Sequence, residues 1–163
     1  MINILIHGDV AKMKKFAIIV LTLFFSVGTL FAMDTKKAMA DLDSEDEAKV
    51  VAAADYLGSK SEASAVPRLS ELTTDPRTKV RLHSVKALGY IKKSEAVDAL
   101  NEVLVNEEDA GVRYAALLAT VRIGSKKSDD TLKQITETET DPMIKDLLDR
   151  IEKKAESDKN KKK

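Results

Sequence analysis

Arg81 and His83 stand two residues apart in the stretch Asp75 to Ile91, "DPRTKVRLHSVKALGYI". An imidazole beside a guanidinium could move a proton while an anion is held. Such chemistry needs further partners. The only other histidine is His7, near the apolar N-terminus, and the 163 residues contain no cysteine, which removes disulfides, thiolate metal sites and a cysteine nucleophile. The nearest hydroxyl, Ser84, falls on the same apolar helix face as His83, so no catalytic residue, no metal site and no cofactor are expected. The carboxylate runs "DLDSEDE" (Asp41 to Glu47) and "NEEDAG" (Asn106 to Gly111) lack the ligand order and glycine placement of a calcium loop and read as solvated helix starts. The terminal "KKAESDKNKKK" sets six lysines against Glu156 and Asp158, with no aromatic ring to stack on a base. It reads as a basic disordered tail, residues 153–163. With a formal net charge of zero, no nucleic-acid partner is expected.

The elements that must position these residues repeat. "YLGSKSEASAVPRLSEL" from Tyr56 aligns with "ALGYIKKSEAVDALNEV" from Ala87, bringing Leu57 onto Leu88, Gly58 onto Gly89 and Leu69 onto Leu100, an offset of 31. "VRLHSVKALGYI" from Val80 aligns with "VRYAALLATVRI" from Val112 at an offset of 32, and a last partial copy runs from Ile144 to Ile151. Constant spacing over several copies marks a stacked architecture rather than a chance motif. Within a copy, Val80, His83, Ser84, Ala87, Leu88 and Ile91 recur at the i, i+3, i+4, i+7 spacing of one buried helix face. A second helix follows in each unit, through Val66, Leu69 and Leu72, then Val97, Leu100 and Leu104, then Leu132 and Ile135. No stretch sustains a period of two, so the chain is all-α. Asp75 with Pro76, and Asp141 with Pro142, read as an N-cap followed by proline at the first helical position. Ser44 and Glu47 read as a capping box, and Gly58 and Gly89 as left-handed residues that close the first helices.

The unit from Asp75, with its D-P, V-R, A-L-G and A-V-x-x-L positions, resembles the short bacterial HEAT repeat, of the variant also seen in phycobilisome-lyase-like proteins. The resemblance implies a short α-solenoid, an α-α superhelix of about three to four HEAT-like helix pairs, over residues 44–152. The first copy departs from it with Lys49 and Val50 in the Val-Arg slot, and the third with Val121 in the glycine slot. Arg81 recurs as Arg113 and, in kind, as Lys145, so it reads as a structural repeat position paired with a carboxylate such as Glu107 or Glu108. His83 fills a slot held elsewhere by Ala52, Ala115 and Leu147, which the fold does not require to be an imidazole. In the HEAT family the second helices commonly bind partners. Their polar side here carries Ser70 and Glu71, then Asp98, Asn101 and Glu102, then Asp130, Lys133 and Gln134. That stripe is the expected surface for another protein. It lacks the aromatic and arginine anchors of a tight interface.

Ahead of the repeats, "MKKFAIIVLTLFFSVGTLFA" from Met13 has the basic, then apolar, then small-residue order of a secretory signal peptide ending at Ala32, with Met13 as its natural start. Residues 1–32 are read as the signal, 33–43 as a linker, and the product as periplasmic or extracellular. Uncleaved, the segment would anchor the chain in the cytoplasmic membrane; membrane contact is expected only then. Together these features predict a noncatalytic interaction or scaffold module of the cell envelope. The alternatives are a membrane-anchored adaptor and a lyase-like accessory enzyme.

Overall fold

The computed structural model describes residues 34–161, and the expected signal or anchor, residues 1–32, lies outside them. The described residues form eight α-helices and no strand. They are α1 (Thr35–Asp41), α2 (Glu47–Ser59), α3 (Val66–Glu71), α4 (Thr78–Ile91), α5 (Val97–Asn106), α6 (Ala110–Ile123), α7 (Asp129–Thr138) and α8 (Pro142–Asn160). The first helices α2, α4, α6 and α8 pack side by side in sequence order, and α3, α5 and α7 form the second layer. This is a short all-α solenoid. None of the described helices is long and apolar enough to cross a membrane.

The core is aliphatic. Leu57, Val80, Leu88, Leu100, Val112, Leu117 and Ile144 are each at most 1% exposed, and they come from both layers. Burying such side chains contributes about 1.5–3 kcal/mol apiece, and no single helix pair can bury its apolar face without a neighbour. At the N-terminal end Ala38 of α1 and Leu42, just after it, are buried in the stretch read as a linker. At the other end Ile144, Leu147 and Leu148 dock α8, which continues as helix through residues 153–160, where the charge run suggests an unstructured tail. Lysine, glutamate and alanine are good helix formers, so an anchored helix propagates into such a sequence.

The glycines differ from their sequence reading. Gly58 and Gly89 are helical, and the left-handed residues are Ser61 (φ 52°), Lys92 (φ 57°) and Gly124 (φ 66°). Each of these three precedes a 3-10 turn that opens the second helix, at Ala63–Ala65, Ser94–Ala96 and Lys126–Ser128. Gly58 and Gly89 are instead places of close approach. A Cβ on Gly58 would lie 2.9 Å from Ala87 Cα, and one on Gly89 would lie 2.7 Å from Ala119 Cβ. The next pair in register is Val121 and Ile151, whose bulk excludes such an approach between α6 and α8.

Two caps also differ. Asp46, not Ser44, caps α2, accepting from Ala48 N at 2.9 Å, while Ser44 Oγ accepts from Asp46 N. Asp141 caps α8 through Met143 N and Ile144 N, with Pro142 at the first position. Asp75 does not cap α4. Its carboxylate accepts from Arg77 N and from the Arg77 guanidinium, so the helix starts two residues later, at Thr78.

Candidate functional site

The repeated arginines sit in two copies of one clamp. Arg81 donates from Nε and Nη2 to the two Glu107 oxygens, at 2.7 and 3.0 Å, and from Nη1 to the carbonyls of Asp75 and Pro76. Arg113 does the same one unit on, with Glu139 at 3.0 Å twice and the carbonyls of Glu107 and Glu108. Glu107 therefore joins two units, its carboxylate held by Arg81 and its carbonyl by Arg113. Burial pulls the Glu107 carboxyl upward, but the bonds from Arg81 and from the N–H groups of Asp109 and Glu108 outweigh it and hold the group below the usual carboxylate range. The Arg113 bonds hold Glu139 down in the same way, against its burial. These charges are committed to stacking. Lys145, in the third such slot, is exposed.

The structure does not gather the second-helix stripe into one site. Glu71 accepts from Arg68 at 2.7 Å, Glu102 accepts from Asn106, Asn101 donates to the Lys127 carbonyl, and Asp98 faces Lys127 at 3.5 Å. Ser70 is half-buried and gives its carbonyl to Thr73, while Asp130, Lys133 and Gln134 are exposed. Glu102 borders a recess of about 310 Å³ beside Arg81 and Glu107, and Gln134 borders one of about 260 Å³ beside Arg113 and Glu139. The other stripe residues line neither.

The opposite layer holds groups that sequence reasoning missed. His83 Nδ1 lies 2.7 Å from Asp55 Oδ1, which comes from the preceding first helix, 28 residues away. The bond fixes the imidazole between α2 and α4, with Asp55 half-exposed. Beyond it, α4 and α6 line a groove of about 280 Å³ in which Lys86, Tyr90, Tyr114, Leu118 and Arg122 face one another over Gly89 and Ala119. Tyr90 is 52% exposed and Leu118 40%, and the Arg122 guanidinium lies 4.6 Å from the centre of the Tyr90 ring. Lys86 and Tyr90 also line an adjoining recess with Asp55 and Ser59. The register already placed Asp55, Lys86 and Leu118 in one slot of the repeat, but not which layer would leave that slot open.

Comparison with known proteins fixes the architecture. The HEAT-repeat family matches residues 35–119 and again 67–148. The chain belongs to the HEAT-repeat family. It is 28% identical to the bilin biosynthesis protein PecE of Mastigocladus laminosus, over 73% of this chain and 47% of that protein. The complex of CpcE and CpcF of phycocyanin lyase from Nostoc sp. PCC7120 contains a chain of the same fold, with a TM-score of 0.61 and 25% identity over 64% of this chain and 42% of that one. This HEAT-repeat chain thus spans less than half the length of both relatives.

These likenesses correct two expectations. The noncatalytic envelope scaffold and the exclusion of an enzyme rested on the absence of a nucleophile or metal set in one chain. One relative in sequence is named for bilin biosynthesis, and one of the same fold comes from a complex named for a lyase, so a residue inventory of this chain does not exclude an enzymatic role. The residue inventory misled because a solenoid can contribute a surface to chemistry completed by other chains.

Proposed function

We propose that this chain is a HEAT-repeat module of a lyase-type system that handles a bilin, an open-chain tetrapyrrole, together with a second protein subunit. The observation that carries this reading is the 28% sequence identity with a protein of bilin biosynthesis. The partner is suggested by the complex in which the structural relative was solved. A chain with no cysteine suits non-covalent holding and orientation of a substrate, with bond making assigned to the acceptor or the partner. The basic and apolar order of residues 13–32 supports export of the module, which N-terminal sequencing from fractionated cells would test.

The direct test adds the full chain to CpcF, a bilin and chromophore-free phycocyanin, and follows the pigment that migrates with phycocyanin on a denaturing gel. The reverse direction starts from pigmented phycocyanin. Transfer or release above the level of CpcF alone supports the reading; no change in either direction overturns it.

A further inference from the structure

We infer that the groove between α4 and α6 is a binding site for a planar, conjugated dicarboxylate of the open-chain tetrapyrrole class. Its chemistry is unlike the rest of the surface. Arg68, Arg77, Arg81, Arg113 and Arg150 each pair with a carboxylate. Arg122 instead lies over the Tyr90 ring, and no carboxylate lines the groove that it shares with Lys86. Two cations with no acid between them place positive charge along a low-polarity wall, and Asp55 lies beyond Lys86 in the adjoining recess.

The remaining wall is apolar and aromatic. Tyr90 and Leu118 are exposed beyond what packing requires, and Tyr114 closes the same wall. The floor is made of Gly89, Ala115 and Ala119, small residues that admit a flat body close to the helix backbones. A flat π-system lying against Tyr114 and Leu118 beside the Arg122–Tyr90 pair, with carboxylates drawn to Lys86 and Arg122, satisfies both halves of this surface. The groove of about 280 Å³ adjoins the recess of about 340 Å³ through Lys86 and Tyr90, so an elongated ligand can continue across the ridge. There Asp55, hydrogen-bonded to His83, is the first acid it would meet. The ligand class rests on the lyase-type reading; the position of the site rests on the residues alone.

Biliverdin, an open-chain tetrapyrrole with two propionates, is the probe, and its dimethyl ester is the neutral control. Absorbance titrations of the full chain are expected to saturate with biliverdin. Lys86→Gln and Arg122→Gln should each weaken binding about tenfold, as expected for loss of one charge-assisted contact. The ester should bind the unmodified chain comparably weakly and be insensitive to both substitutions. Lys133→Gln, on the other layer, should change nothing, and circular dichroism checks that each variant is folded. Saturable binding that both groove variants leave intact, or that the ester reproduces, overturns the groove while sparing the proposed function. No saturable binding by the unmodified chain overturns the groove's ligand class and counts against the bilin reading itself.

Discussion

Replacing Gly89 by alanine should destabilise the protein, against the usual direction of that change inside a helix. At an isolated helix position it would stabilise by about 1 kcal/mol, because alanine loses less backbone freedom on folding. Gly89, however, faces the backbone of α6, where a new methyl would lie 2.7 Å from Ala119 Cβ and 2.9 Å from its Cα. Carbon atoms rest at about 3.5–4.0 Å, so α4 and α6 must part by about 1 Å at this seam. Overfilling a packed core costs about 1–3 kcal/mol, and the upper part of that range applies because the obstacle is a backbone atom rather than a side-chain tip. The net expectation is a loss of about 1–2 kcal/mol, read as a lower midpoint in urea unfolding followed by circular dichroism. Adding Ala119→Gly removes the 2.7 Å contact and leaves the one at 2.9 Å, so a double-mutant cycle should show partial rescue, a favourable coupling of about 1 kcal/mol. Gly111→Ala is the control. It lies in the first turn of α6, where the nearest atom to a new Cβ is Asp109 Oδ1 at 3.1 Å, a side-chain atom rather than backbone, and it should cost less than Gly89→Ala. A Gly89→Ala protein with a midpoint equal to or above that of the unmodified chain would refute the close-approach argument.

Other expectations concern the clamps and turns. Glu139→Gln keeps the side-chain shape but leaves the Arg113 guanidinium without its buried counter-charge, and should cost about 2 kcal/mol in the same unfolding assay. The carboxyls of Glu107 and Glu139 are held below their ordinary range in the folded state, so their stabilisation is complete above the unfolded carboxylate value. It is lost as pH falls through the lower folded values; unfolding midpoints should drop below about pH 4.5, and Glu107→Gln with Glu139→Gln should flatten that slope. Lys92→Gly should stabilise by about 1 kcal/mol, because Lys92 holds φ at 57° where glycine has no steric penalty. Gly124→Ala, at φ 66°, should lose a similar amount, about 1 kcal/mol.

The repeat spacing, the two helices of each unit and the aliphatic composition of the core were legible in the sequence, because a helix writes its buried face as a local period and a repeated unit writes it again at a fixed offset. Arg81 could be recognised as a repeat position for the same reason. Its bonds to Glu107 could not be singled out from the neighbouring Glu108 by spacing alone. Tertiary packing decided the rest. Gly89 next to Lys92 leaves open which residue turns left-handed; contact with Ala119, 30 residues away, decides that Gly89 stays helical and the lysine takes the strained turn. Asp55 became the partner of His83, and Lys86, Tyr90, Tyr114 and Arg122 came to share one groove, only when three first helices were laid side by side. A single sequence records which face of a helix is apolar. Which exposed residues of separate units meet depends on the rotation and spacing between stacked pairs, and those are set by the packing of side chains at each seam.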